Sequence, residues 1–112
     1  MKNIEAAKKY EEYIISQRRY FHENPELPGK ETNTVKKISE ELRGMGIPFV
    51  EIENGGILAT LKGGKAGEKA VLLRADIDAL AIEEAHRNLK NERTCISKNK
   101  GIMHACGHDG RR

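Results

Sequence analysis

The sequence predicts an α/β chain in which two amphipathic helices come first, a β-hairpin follows, and a buried central strand comes last. Three observations carry this. Apolar residues recur at helical spacing through the first half of the chain, Asn54-Gly55-Gly56 separates two β-rich runs, and residues 70–73 form a continuous apolar stretch.

In the opening segment Ile4, Ala7, Tyr10, Ile14 and Phe21 fall at helix-like intervals with Lys8, Lys9, Glu12, Arg18 and Arg19 on the flanks, which predicts one amphipathic helix. Asn24-Pro25 and Pro28-Gly29 stop it, because a residue before proline is pushed out of the helical region and glycine accepts positive φ. Thr32, Asn33 or Thr34 can cap a second helix with the apolar stripe Val35, Ile38, Leu42 and Met45, ended by Gly44 or Gly46. The runs 47–53 and 57–62 then read as strands, joined by the Asn-Gly-Gly turn as a tight hairpin. Residues 63–68 read as an exposed connection. The apolar run 70–73 has the pattern of a strand buried on both faces of a sheet. Asp76 and Asp78 follow it, where α/β sheets present ligand-binding groups. From 83 to 100 the chain is polar without clear periodicity, and it reads as a functional loop or a surface excursion.

At 112 residues there is room for one small domain, and 33% charged against 38% hydrophobic residues with no Trp predicts a globular protein with a modest core. A net charge of +3 from 20 basic and 17 acidic residues is too mild and too evenly spread for a nucleic-acid binder. No run has the length and apolarity of a membrane span, and the first thirty residues lack the apolar core of an export signal, so a cytoplasmic protein is expected. Two cysteines, Cys95 and Cys106, without such a signal favour metal or thiol chemistry over a disulfide.

The densest chemistry lies at 103–109, MHACGHD, where His104, Cys106 and His108 occupy five positions with Asp109 next door. Thiolate and imidazole suit zinc, and manganese, cobalt or nickel when carboxylates complete the shell. Asp76, Asp78 and Asp109 are candidates for ligands or for groups that orient an imidazole. On spacing alone the cluster reads equally as a metal site or as a chance grouping in a loop, and Asp76 and Asp78 read more as a strand-end cap or salt-bridge pair than as functional groups. A closed structural site from Cys95, His104, Cys106 and His108 is the alternative from another class, weakened because Cys95 lacks a near partner of the CxxC type. A thiol nucleophile at Cys106 lacks an obvious orienting group. His22 reads as a surface or packing histidine, and His86 and Cys95 as structural or incidental.

Three ordered motifs add to this: RRYFHENPEL at 18–27, LLRADIDAL at 72–80 and SKNKGIMHACGHDG at 97–110. Together they closely resemble the amino-terminal part of the M20 metallopeptidase family, in its amidohydrolase branch of hippurate hydrolases, N-acyl-amino-acid amidohydrolases and indole-acetyl-amino-acid hydrolases. The resemblance spans about residues 13–110. It implies the start of a mixed-sheet, zinc-peptidase-like catalytic domain and hydrolysis of the amide bond of N-acyl amino acids, small-molecule substrates. It implies two divalent ions, manganese or zinc with cobalt or nickel as options, bound in part by Cys106 and His108. Asp78 is expected to support the metal centre, with Asp76, His104 and Asp109 around it.

There are departures. Family members carry a further histidine where this chain has Gly110-Arg111-Arg112, and proline where it has Ala81. They also continue with the general-base glutamate, further ligands and a dimerisation domain. The expectation is therefore a fragment, residues 1–112 of a catalytic domain, inactive alone, with homodimers confined to full-length members, or else a non-functional remnant.

Overall fold

A computed structural model describes residues 2–65 and 67–110. Its elements are α1 (Lys2–Lys8), α2 (Glu11–Glu23), α3 (Thr32–Gly44), β1 (Phe49–Ile52), β2 (Gly56–Ala59) and a short 3-10 turn at His108–Gly110. The expected α/β chain with its helices ahead of a hairpin is found, with three corrections.

The first helix is two. Tyr10 N–H bonds to the Ala7 carbonyl at 3.0 Å, closing an i−3 turn that interrupts the i−4 ladder between α1 and α2. No residue of α1 is buried, so no packed face holds the two in line. α2 turns Phe21 and His22 inward and ends where the Asn24 backbone N–H and side-chain amide both bond to the Tyr20 carbonyl, just before Pro25.

α3 starts at Thr32 as expected, but none of the three candidate side chains caps it. The cap comes from Glu26, whose carboxylate accepts from the backbone N–H groups of Asn33 (3.2 Å) and Thr34 (2.5 Å). A carboxylate there satisfies orphan donors and complements the positive end of the helix dipole. The other end is a Schellman motif: Gly46, at φ 71°, donates to the Arg43 carbonyl and Ile47 to that of Leu42. Val35, Ile38 and Leu42 are half-buried, whereas Met45, expected in the same stripe, is exposed.

β1 and β2 pair antiparallel from Phe49↔Ala59 to Ile52↔Gly56. Asn54 adopts φ 57° at the turn, and a Cβ on Gly55 would stand 2.7 Å from Ile52 Cγ2, so both residues of the Asn-Gly signal are required.

The largest correction concerns residues 70–73. They form no strand, and Val71, Leu72 and Leu73 are 88%, 81% and 90% exposed. A strand buried on both faces needs neighbours along both edges and a layer on each side. The sheet of the described residues has two strands, β1 and β2, and supplies neither. Tyr13, Ile14, Ile38, Leu42, Ile57 and Leu61 line an open trough together with this run, with a volume of about 1090 Å³.

Consequently the chain is more open than the globular domain expected from composition. Its surface is 9319 Å², where a compact chain of this mass exposes about 6,200 Å². Its radius of gyration is 16.2 Å, against about 13 Å for a compact domain. Phe21, Pro25 and Ala79 are the buried apolar residues among those described, while six polar or charged residues are equally buried. Polar contacts therefore organise this chain to an unusual degree, and most converge near its last described turn.

Candidate metal centre

Two irregular segments build the site. Leu80 and Met103 exchange both backbone hydrogen bonds, at 2.9 and 3.0 Å, in an isolated antiparallel bridge that lays residues 76–80 beside 103–108. Motifs some thirty positions apart are joined there. Gly107 then turns the chain at φ 75°, a conformation that strains any residue with a side chain. Cys106 is left exposed and the ring of His108 swings inward.

Nδ1 of His108 lies 3.0 Å from Asp78 Oδ1 and 3.1 Å from the Asp78 backbone carbonyl. A carbonyl oxygen can only accept, so Nδ1 carries the hydrogen and Nε2 presents its lone pair in the neutral ring. Nε2 faces Asp76, at 3.7 Å from Oδ2, and the other Asp76 oxygen pairs with Arg74 at 2.6 Å. This is how metal-binding imidazoles are held: one nitrogen fixed by an acceptor, the other free to ligate. The fit to a metal is partial. His108 Nε2 and the exposed Cys106 thiol have the right chemistry, yet among the described residues no three His, Cys, Asp or Glu side chains are grouped as an ion would require.

The remaining candidates separate. His104 is buried at 4% exposure within the motif. Cys95 donates its thiol to the Arg19 carbonyl at 3.6 Å on α2, and burial, reinforced by the charge of Glu23, pushes that thiol's pKa up. A thiol so held is a poor ligand, and the closed site of Cys95, His104, Cys106 and His108 is not supported. His86 is exposed, as expected of an incidental residue.

Asp109 turns away from Asp76 and Asp78. It is 4% exposed, and its Oδ2 accepts from His22 Nδ1 at 2.8 Å and from Arg18 Nε at 3.1 Å. The other His22 nitrogen, Nε2, meets Glu84 Oε2 at 2.7 Å. Glu84 also accepts from Arg93 (2.9 Å) and from the Ser97 backbone N–H (2.6 Å). Burial by itself would raise the Glu84 pKa, but the Ser97 N–H, His22 and Arg93 outweigh it and hold the carboxyl below its ordinary value. Sequence reasoning left Glu84 unremarked and gave His22 no partner. Its position directly after Phe21 on the inward face of α2 was the available signal.

No protein-family model matches this chain. Relatives are found by direct comparison. The chain is 46% identical over 107 residues to thermostable carboxypeptidase 2 of Saccharolobus solfataricus, covering 91% of this chain and 25% of that protein. It is 39% identical over 98 residues to the N-acyl-L-amino acid amidohydrolase of Geobacillus stearothermophilus, covering 87% and 25%. Among solved structures it matches a dinuclear metal-binding peptidase of the M20 family from Bacillus subtilis at a TM-score of 0.79 and 38% identity, over 91% of this chain and 28% of that one. The chain is a relative of the M20 peptidases. It spans about a quarter of the length of the curated relatives it matches. Their names make hydrolysis the common activity, as the three motifs imply. No helix among the described residues is long and apolar enough to cross a membrane.

Proposed function

We propose that this chain carries one part of the metal centre of an M20-type amidohydrolase, whose reaction is hydrolysis of the amide bond of an N-acyl amino acid. The observation that carries the reading is the clamped ring of His108, with Nδ1 donated to Asp78 and Nε2 turned towards Asp76. The name of the Geobacillus relative supports the substrate class, and the dinuclear metal binding of the Bacillus peptidase supports two ions, which this reading takes as divalent manganese or zinc.

In this reading Cys106 and His108 hold metal, Asp78 fixes the His108 tautomer, and Asp76, His104 and Asp109 shape the surroundings. Bound divalent ions would polarise the scissile carbonyl and lower the pKa of a bound water. Each residue here has the task of presenting a ligand or orienting one. A working hydrolase also needs a full ligand shell and a general base, and the described residues do not group three ligands. The 112-residue chain is accordingly assigned as a partial catalytic domain that does not turn over substrate alone, with any homodimer belonging to longer family members. A cytoplasmic location belongs to the same reading.

The test has two arms. Co²⁺ added to the purified chain should give a thiolate-to-cobalt charge-transfer band that Cys106→Ser abolishes and Cys95→Ser leaves intact. Incubation with manganese or zinc and N-acetyl amino acids should yield no free amino acid above buffer. Loss of the band in Cys95→Ser overturns the ligand assignment, and metal-dependent release of amino acid overturns the assignment of the chain as catalytically incomplete.

A further inference from the structure

The most deeply buried His–carboxylate pairs among the described residues touch neither Cys106 nor His108, yet they end one residue from His108. His22 is 5% exposed, and its two nitrogens face carboxylates from different segments: Asp109 at 2.8 Å, in the 3-10 turn, and Glu84 at 2.7 Å, in the polar stretch after Leu80. Each ring nitrogen lies within hydrogen-bond distance of a carboxylate, and the ring joins α2 to two segments lying 87 and 62 positions away. Each carboxylate oxygen is shared with an arginine, Arg18 on Asp109 and Arg93 on Glu84. Glu84 carries the connection on to Ser97, and the neighbouring Lys98 N–H bonds to the Glu23 carbonyl of α2.

The consequence lies in the ligand loop. With Gly107 in a left-handed conformation, the path after Cys106 is held by few groups: Gly110 N–H to the Gly107 carbonyl, Asp109 to His22 and Arg18, and His108 to Asp78. Asp109 reaches His22 and Arg18 on α2, while His108, the residue before it in the same 3-10 turn, reaches Asp78 and Asp76. Fixing Asp109 therefore fixes the face on which the His108 ring emerges.

We infer that His22 is a positioning residue, a clamp that holds the 106–110 loop against α2 through Asp109 and so sets the direction in which His108 presents Nε2. The clamp itself stands on the hydrogen bonds of His22 with Asp109 and Glu84. Its effect on metal binding rests on the function proposed above.

Hydrogen exchange with local readout tests the clamp. In His22→Gln one side-chain tip cannot donate in two diverging directions, so one buried carboxylate loses its donor. Exchange of the Gly110 and Ser97 amides should quicken about tenfold to a hundredfold, while Val35 and Ile47 at the two ends of α3 stay within about twofold. His22→Ala should behave alike, and added imidazole should slow Gly110 exchange again by refilling the cavity between Asp109 and Glu84. Unchanged exchange at Gly110 overturns the clamp. Equal acceleration at Val35 and Ile47 overturns it too, since His22 would then be an ordinary element of the fold. Co²⁺ affinity supplies the second readout: His22→Gln should weaken it about tenfold. Wild-type affinity in a variant with fast Gly110 exchange overturns the effect on ligation. A wild-type chain that binds no Co²⁺ refutes the proposed function, and the exchange pattern then judges the clamp by itself.

Discussion

Replacing Asp78 separates two ways in which it can serve His108. The ring's Nδ1 has two acceptors, the Asp78 carboxylate at 3.0 Å and the Asp78 backbone carbonyl at 3.1 Å, and the second survives every substitution. If Asp78 acts by orienting the ring, Asp78→Ala keeps the tautomer and loses the added basicity and rotational restraint of the charged acceptor. Removal of a group behind a ligand costs about tenfold to a hundredfold in metal affinity. With the backbone acceptor retained, the lower end applies, about tenfold or ~1.4 kcal/mol. Asp78→Asn retains a neutral acceptor oxygen and should lose less than Asp78→Ala. The assay is a Co²⁺ titration followed by the thiolate-to-cobalt band, with circular dichroism as a check on the fold. Affinity unchanged within twofold would refute the orienting role. Complete loss of binding in a folded Asp78→Ala chain would also refute it, since Asp78 would then be a ligand itself.

Three further outcomes follow from the same geometry. Glu84 has a folded-state pKa below its ordinary 4.5, so its contribution to stability is present above about pH 4.5 and is lost as pH falls through the lower folded value; in urea titrations, Glu84→Gln should be less stable than wild type by about 1–3 kcal/mol at pH 6 and should lack that acid-side slope. Tyr13 donates to Glu41 at 2.6 Å, and burial together with that carboxylate raises its pKa from 10.0 to about 12; a raised phenol favours the fold below pH 10 and loses that contribution as pH climbs towards 12, so tyrosinate absorbance should show one late-titrating residue that moves down in Glu41→Gln. Gly46→Ala should cost about 1–2 kcal/mol by denaturant midpoint, because nothing lies within 4 Å of the added methyl and the penalty is that of φ 71° alone.

The stop at Asn24-Pro25, the Gly46 ending of α3 and the Asn54-Gly55 turn were legible because each is decided within about five residues by dihedral preference. The pairing of His108 with Asp78 was half legible: the motif resemblance named both, and only the Leu80–Met103 bridge shows which nitrogen is held and by what. The cap of α3 was misplaced because the carboxylate of Glu26 arrives from beyond the Pro28-Gly29 turn and outcompetes the adjacent hydroxyls, being charged and able to accept from two N–H groups. Residues 70–73 failed for the opposite reason. An apolar run reports what a segment would bury, and burial requires partners that its own residues do not encode.

By itself, then, the amino-acid sequence determined the local order of helix, turn and hairpin and the chemical identity of the ligand loop, since backbone preference and side-chain chemistry act at short range. Only the tertiary structure decided that His22 sits between Glu84 and Asp109, that Cys95 is withdrawn from the motif, and that Val71, Leu72 and Leu73 remain in water. Those outcomes depend on which segments meet across sixty to ninety positions of chain. Such meetings are chosen by the burial of charge against charge and of surface against surface, and no short window of residues contains both sides.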